Sequence, residues 1–257
     1  MCEVFGLSGK GLRQINEELR EFYSHSDCHP NGWGLAVLEH GMYNWEKEPV
    51  CANKSRYLKE RLSEPILART AMAHIRYATI GNEEWRNCHP FCGKDRSGQQ
   101  WILEHNGTIF DYPPMDRYVS VQKGETDSER ILLYFIDSIN RRMDEQSGVL
   151  SEEERFAVLD GLVRDIAPGN KLNLVFSDGK WLYVHTNCAG TLYIRREEDF
   201  VMFSTQPLSQ GEWQPLPFMQ LLAFEEGRLC AEGKKHSGEY REDRRSVEQL
   251  YLAYSGL

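Results

Sequence analysis

The chain has 257 residues, of which 40% are hydrophobic and 27% are charged, as in ordinary globular proteins. A formal net charge of −9 without a dense Lys/Arg stripe argues against a nucleic-acid partner, and the lack of an apolar run of about 18 residues argues against a membrane span. Seven cysteines at irregular spacing, with no secretion signal ahead of them, favour reduced thiols and a cytoplasmic location.

The first half of the chain predicts short strands separated by loops and two small helices. Residues 2–9 predict a strand that ends in glycine, and residues 11–24 carry apolar side chains at helical spacing. A second short helix is predicted at 53–62. Further strands are predicted at 34–40, 42–46, 66–76 and 101–105. The dipeptide Asn106-Gly107 is expected to stop the last of these strands.

The second half predicts two capped helices followed by a series of strands. Residues 126–142 and 151–166 each open with a capping box, in which Thr126 is matched with Glu129 and Ser151 with Glu154. Strands are then predicted at 172–177, 181–185, 191–195, 200–204 and 219–224. This order favours a layered α+β fold, with one domain over residues 1–257 and a polar segment from about residue 231.

Cys2 directly follows Met1, and this placement is the most informative feature of the chain. If Met1 is removed, one residue carries both a thiol and a free α-amine. An α-amine has an unperturbed pKa of about 7.7–8.0, so it can act as the base for its own side chain. The alternative interpretation is an ordinary buried thiol in a first strand.

Three other polar segments could carry chemistry. Arg76 ends a buried strand, where its guanidinium fits a carboxylate or pairs with an internal acid. Asn106 and Gly107 form either a simple turn or an oxyanion hole made of the Asn amide and the Gly N–H. Asp127 favours the positive end of a helix and could also bind an ammonium group.

Two loops, 25–29 and 88–92, contain Cys and His in a pattern that resembles zinc ligation. The spacing is irregular and lacks a C-x₂-C pair. A zinc-stabilised module, or a non-catalytic partner subunit, is therefore the alternative from a different functional class.

Six segments in order resemble the class II glutamine amidotransferases, which are N-terminal nucleophile hydrolases, and among them the stand-alone bacterial type. These segments are 1–6 (MCEVFG), 29–34 (HPNGWG), 73–76 (AHIR), 88–91 (CHPF), 105–107 (HNG) and 124–129 (GETDSE). A weaker likeness covers 173–179 and 204–208 and ends near residue 230. Asn31 departs from the family, in which Asp is common at this position. The resemblance implies a four-layer αββα sandwich, with two antiparallel sheets between helix layers.

The resemblance also implies an activity and a set of roles. Cys2 would attack the side-chain amide of glutamine, and water would hydrolyse the resulting γ-glutamyl thioester. The implied roles are the oxyanion hole for Asn106 and Gly107, the substrate α-carboxylate for Arg76, the α-ammonium for Asp127, and the pocket lining for His89, Trp33, Gly34, His74 and Tyr77. No metal or organic cofactor is expected.

Two alternatives concern the substrate and the partner. Another γ-glutamyl amide, such as a peptide or conjugate, would use the same α-amino-acid clamp as glutamine. Residues 230–257 are too few for a synthase domain, so the ammonia acceptor is expected to be a separate synthase chain, unless the protein is simply a hydrolase.

Overall fold

The structure is a computed structural model that describes residues 2–242. Its strands are β1 (Glu3–Gln14), β2 (Trp33–Glu39), β3 (Met42–Glu48), β4 (Leu67–Ile75), β5 (Phe91–Lys94), β6 (Gln100–Thr108), β7 (Lys171–Ser177), β8 (Leu182–His185), β9 (Tyr193–Arg196), β10 (Phe200–Ser204), β11 (Trp213–Pro215), β12 (Leu222–Glu225) and β13 (Arg228–Glu232). Its α-helices are α1 (Asn16–Ser24), α2 (Arg56–Arg61), α3 (Asp127–Gln146) and α4 (Glu152–Ile166). Short 3₁₀ helices span His25–Cys28, Ala52–Lys54, Trp85–Asn87 and Pro113–Tyr118.

The strands form two antiparallel sheets. The first has the order β11-β9-β10-β1-β4-β2-β3, and the second has the order β13-β12-β8-β7-β6-β5. β1 lies inside the first sheet, hydrogen-bonded to β10 on one side and β4 on the other. β6 lies inside the second sheet, between β5 and β7. The ends of β1 and β6 therefore have fixed positions within their sheets.

Three apolar cores separate four layers. Helices α1 and α2 pack on the outer face of the first sheet, and α3 and α4 pack on the outer face of the second. The third core lies between the sheets. Alternation along β1 sends Phe5 and Leu7 to the α1 side and Val4 to the space between the sheets. The α+β class and the αββα layering are thus confirmed.

The two capped helices differ at their N-termini. Ser151 and Glu154 form the full reciprocal capping box of α4. At α3, the Thr126 hydroxyl accepts a hydrogen bond from Glu129 N at 3.3 Å. The Glu129 carboxylate, however, accepts from Lys123 N and Gly124 N instead of from Thr126 N. The predicted capping box at Thr126 is therefore only half formed, because Glu129 organises the preceding turn.

The prediction of a helix over residues 11–24 was wrong in its first part. β1 continues to Gln14, and Arg13 and Gln14 pair with Ala68 and Leu67 after a break in the register. Leu12, the first apolar residue of the predicted helix, is 62% exposed. Strand pairing with β4 overrides the local apolar spacing here.

The prediction that Asn106-Gly107 stops a strand was also wrong. β6 runs through both residues to Thr108, with Asn106 opposite Asn173 and Gly107 opposite Leu172. Strands β5, β11 and β13 were not predicted. Met1 and residues 243–257, including most of the predicted polar C-terminal segment, lie outside the described residues. None of the described helices has the length and apolar character needed to cross a membrane.

Candidate active site

Cys2 precedes the first residue of β1 and is partly exposed. Its Sγ lies 3.3 Å from Tyr77 N, which donates to it, and 3.4 Å from Tyr77 O, to which the thiol donates. Burial raises the pKa of the Cys2 thiol, and the Tyr77 backbone and the charge of Arg76 partly offset this rise. The thiol is therefore protonated at neutral pH, and a nucleophilic role requires a base.

The start of β1 is anchored at the two residues that follow Cys2. The buried Glu3 carboxylate accepts from His25 Nδ1 at 2.9 Å and from Gln206 Nε2 at 2.7 Å. Thr205 Oγ1 accepts from Val4 N at 2.9 Å, and Thr205 N donates to Val4 O at 3.0 Å. No individual role was predicted for Glu3, Thr205 or Gln206, which lie in the matching segments 1–6 and 204–208, and His25 was considered only as part of a zinc-like loop.

Arg76 follows the end of β4, and its side chain is buried. Nη1 donates to Asn82 O at 3.0 Å, and Nη2 donates to Ile80 O at 2.8 Å and to Gly81 O at 2.9 Å. The guanidinium therefore holds the loop that follows its own strand. We call residues 78–87 the site loop.

Asn31 holds the same loop at its first residue and again at Glu83. Its Oδ1 accepts from Ala78 N at 2.9 Å, and its Nδ2 donates to a Glu83 carboxylate oxygen. An Asp here could not donate to Glu83 and would set two carboxylates against each other. The departure from the family pattern at residue 31 is thus matched to Glu83.

Glu125 joins the site loop to the start of α3. Its carboxylate accepts from Asn82 N and from Asn87 Nδ2, both at 2.9 Å. These bonds lower the pKa of Glu125. Gly124 permits the close approach, because a Cβ there would lie 2.5 Å from Asn87 Oδ1. The loop is consequently tied to β4, to residue 31 and to α3.

Asn106 and Gly107 lie near the end of β6, and the Asn106 side chain and the Gly107 N–H point in different directions. Asn106 is on the same side of the strand as Ile102, which belongs to the core between the sheets. Leu172, opposite Gly107, donates its N–H to Asn187 Oδ1 and accepts from His185 Nδ1 with its carbonyl, both at 2.8 Å. Gly107 and Leu172 are therefore a non-hydrogen-bonded pair, and the Gly107 N–H points away from β7. A Cβ at Gly107 would lie 2.0 Å from Lys171 O, so only glycine fits.

Asp127 is the first residue of α3 and is buried. Its Oδ2 accepts from Ile109 N at 2.7 Å, which ties the helix start to the chain just beyond β6. Its negative charge and the positive charge of Arg76 both act on the Cys2 thiol. The structure thus brings Cys2, Tyr77, Arg76 and Asp127 together, and their catalytic and binding roles stay predictions.

His74 and His89 are buried behind this group. Their rings stack with centroids 3.9 Å apart. Lys47 Nζ donates to Cys88 O at 2.6 Å and to Pro90 O at 3.1 Å, so it holds the chain on either side of His89. Burial lowers the pKa of Lys47 to about 8. Gly34 lets this segment approach β2, because a Cβ there would lie 2.0 Å from His89 O. Lys47 was not predicted.

Trp33 is not brought to Cys2. It is fully buried in the core on the α1 side of the first sheet, the face opposite the one toward which Val4 points. Its Nε1 donates to Glu48 Oε2 at 3.0 Å, and its ring stacks on Tyr57. The expected place of Trp33 in the pocket lining is corrected: alternation along β2 directs it to the outer core.

The two Cys/His loops do not form a metal centre in the part of the chain that the structure describes, where no three His, Cys, Asp or Glu side chains are grouped to hold an ion. Cys28 is exposed, whereas Cys88 is buried, with its thiol directed at the carbonyls of Glu48 and Glu84. His29 lies 3.7 Å from the Glu3 carboxylate. The zinc interpretation therefore has no support in residues 2–242.

Comparisons with known proteins point to a single protein family. The profile described as Glutamine amidotransferases class-II matches residues 1–200. An uncharacterized protein of Methanocaldococcus jannaschii is 27% identical over 263 residues, which cover 91% of this chain and 72% of that protein.

Two solved structures share the fold. A Pseudomonas aeruginosa protein described as a predicted glutamine amidotransferase superposes with a TM-score of 0.62 at 19% identity, covering 90% of this chain and 100% of the other. Glutamine phosphoribosylpyrophosphate amidotransferase from B. subtilis gives a TM-score of 0.68 at 14% identity. That match covers 94% of this chain but 50% of the B. subtilis chain.

Proposed function

Because the chain belongs to the class II glutamine amidotransferases, we propose that it hydrolyses the side-chain amide of glutamine with Cys2 as the nucleophile. The observation that carries this proposal is the position of the Cys2 thiol. It is held against the Tyr77 backbone, within the influence of one fixed cation, Arg76, and one fixed anion, Asp127. A free α-amino acid carries the two complementary charges.

The first step needs a base, because burial raises the pKa of the thiol. Removal of Met1 would supply one as the α-amine of Cys2, whose ordinary pKa is about 7.7–8.0. This amine takes the thiol proton and later gives it to the leaving nitrogen. One residue then serves as nucleophile and as proton carrier.

The proposed clamp for the substrate couples binding to loop position. Asp127 receives the α-ammonium, and Arg76 receives the α-carboxylate. The Arg76 guanidinium also holds the carbonyls of residues 80–82, so substrate and site loop share one cation. A change that loosens the loop should therefore weaken glutamine binding.

The thiolate attacks the amide carbon, and the negative charge moves to the carbonyl oxygen. Asn106 Nδ2 and the Gly107 N–H, which points away from β7, are the proposed donors to this oxyanion. The C–N bond breaks, ammonia leaves with the proton from the α-ammonium of Cys2, and a γ-glutamyl thioester remains. Water then attacks the thioester and releases glutamate.

A separate synthase chain is the proposed acceptor of the ammonia. The match to the B. subtilis amidotransferase covers only half of that enzyme. Copurification from native lysate, followed by comparison of glutaminase rates with and without the copurified chain, tests this point. An equal rate for the protein alone, with no chain recovered beside it, would count against such a partner.

The substrate test measures glutamate release from glutamine and from a panel of γ-glutamyl peptides and amides. We expect wild type to act on glutamine, Cys2→Ser to be inactive, and Cys230→Ser, which changes an exposed thiol, to match wild type. Faster release from a γ-glutamyl peptide would assign the alternative substrate to the same site. Equal activity of Cys2→Ser and wild type would reject Cys2 as the nucleophile.

A further inference from the structure

Four polar side chains lie between the two sheets, directly behind the proposed oxyanion hole. We call them the inter-sheet polar layer: His74, His89, Glu104 and Asn106. Their exposed fractions are 0%, 4%, 0% and 2%, respectively. Nothing in the proposed chemistry requires an acid or two imidazoles at this depth.

The alternation of the strands places these groups on facing sides. Glu104 and Asn106 follow Ile102 at intervals of two along β6, and Ile102 belongs to the core between the sheets. His74 follows Met72 of the same core at the same interval on β4. His89 is stacked on His74, so it belongs to the same layer.

The layer is polar but largely unpaired. No hydrogen-bond partner for either Glu104 oxygen, for any ring nitrogen of His74 or His89, or for Asn106 Oδ1 is found among residues 2–242. The His105 backbone lies near the His74 ring and partly offsets the lowering of its pKa, without reaching hydrogen-bond geometry. Buried polar groups are almost always satisfied, by protein or by ordered water. Since the facing protein atoms do not satisfy these groups, water is the inferred partner.

The protonation states of the layer follow from its burial. Burial raises the pKa of Glu104 well above its usual range. It lowers the pKa values of His74 and His89 well below theirs. These shifts favour the carboxylic acid form of Glu104, which has an O–H donor, and the neutral imidazole form of both histidines, each with one donor and one acceptor.

We propose that Glu104 is a positioning residue for Asn106, acting through water that it holds in this layer together with the two histidines. The Asn106 amide must turn Nδ2 toward the oxyanion, which leaves Oδ1 facing inward and in need of a donor. The Glu104 O–H, two residues earlier on the same face of β6, anchors the water that donates to Oδ1. This inference rests on the proposed function, since it assigns Asn106 to the oxyanion.

The test compares Glu104→Gln, Glu104→Leu and a matched core variant, Ile102→Val, which alters the neighbouring inter-sheet position without a polar change. Gln keeps a neutral hydrogen-bonding group, so its kcat should stay within about threefold of wild type. Leu removes that group, and its kcat should fall about tenfold with KM within about twofold, because the change acts on transition-state stabilisation. The melting temperature of Glu104→Leu should stay close to that of wild type, since the buried acid and the water that it holds are replaced together by an apolar group of similar size.

If Glu104 is only a structural residue, the kcat and the melting temperature of Glu104→Leu should fall together. Ile102→Val shows how a purely structural change in this core affects the two quantities. A joint fall in Glu104→Leu would overturn the proposal, as would wild-type kcat in Glu104→Leu or an equal loss in Glu104→Gln.

A second measurement does not depend on activity. A high-resolution crystal structure should show ordered water hydrogen-bonded to Glu104 and linked to Asn106 Oδ1. A layer packed without water would contradict the inference even if glutaminase activity were found. Conversely, absence of glutaminase activity in a protein with this water network would reject the proposed function and leave the hydration of the layer established.

Discussion

The Cys2 thiol lies against the backbone of a single residue, Tyr77, with Sγ 3.3 Å from Tyr77 N and 3.4 Å from Tyr77 O. This contact joins the start of β1 to the residue that follows Arg76. The proposed nucleophile and the proposed carboxylate clamp are therefore positioned by one stretch of backbone. Movement of the site loop should alter both.

Replacing Asn106 with Ala removes one proposed oxyanion donor. We expect kcat to fall about 10²–10³-fold, with KM changed much less, because the contact forms only as charge develops on the oxygen. Asn44→Ala, which changes an exposed residue of β3, is the matched control. Steady-state kinetics with glutamine measure both constants, and a loss below about threefold would remove Asn106 from the oxyanion hole.

Replacing Asn31 with Asp should weaken glutamine binding. The introduced carboxylate would repel Glu83 and lose the hydrogen bond to it, which loosens the site loop that Arg76 also holds. We expect KM for glutamine to rise about five- to tenfold, equivalent to roughly 1 kcal/mol.

Two further variants show whether this effect belongs to the pair. Asn44→Asp makes the same change in a surface Asn–Glu pair, with Glu39, and should leave KM unaltered. Adding Glu83→Gln to Asn31→Asp should restore KM, since Gln can donate where Glu repels. An unaltered KM in Asn31→Asp would show that the loop does not control binding.

Much of this arrangement could be predicted from sequence, because local patterns report it. Apolar alternation located most strands, and the Ser151 box located α4. Asn106-Gly107 was misjudged, because a dipeptide typical of turns is held in β6 by pairing with Asn173 and Leu172, which lie far along the chain. Trp33 was wrongly assigned to the pocket lining. Alternation along β2, not residue type, decides which face of the sheet its side chain occupies.

The residues that were not predicted escaped for a common physical reason. Lys47 and Glu3 make their contacts with backbone and side chains distant in sequence, and no spacing rule reports such contacts. Glu104 gave no signal either, because an isolated Glu in an apolar run is ordinarily expected to reach the surface.

Replacing Gly34 with Ala should destabilise the protein. The added Cβ would lie 2.0 Å from His89 O, so β2 and the segment before β5 could not keep their present approach. We expect the free energy of unfolding to fall by about 3 kcal/mol, as for a severe overpacking change. Chemical denaturation measures it, and Gly11→Ala, whose Cβ would meet nothing within 4 Å, should have little effect. Equal stability of the two variants would show that the close approach is not required.

Stability should also fall as the pH is lowered through the titration range of histidine. Gly238 N donates to His236 Nδ1, which leaves the His236 Nε2–H to donate to His185 Nε2 at 2.9 Å. Burial, assisted by His236, lowers the pKa of His185 to about 3. Below the ordinary pKa of about 6.5, the unfolded chain binds a proton that the folded chain excludes. His185 should therefore contribute a loss of about 1.4 kcal/mol per pH unit between these values.

The pH dependence of unfolding between about pH 6.5 and 5 measures this contribution. His185→Gln should have a shallower slope than wild type by about the stated amount. His40→Asn, which changes an exposed histidine in the β2–β3 turn, should keep the wild-type slope. Identical slopes in all three proteins would show that His185 is not held neutral.

Covalent labelling tests directly whether Cys2 acts as an N-terminal nucleophile. Active protein is treated with 6-diazo-5-oxo-L-norleucine, an electrophilic analogue of glutamine, then digested and analysed by tandem mass spectrometry. We expect one adduct per chain, on the thiol of a peptide that begins at Cys2 without Met1. An adduct on another cysteine, or full activity in protein that retains Met1, would contradict it.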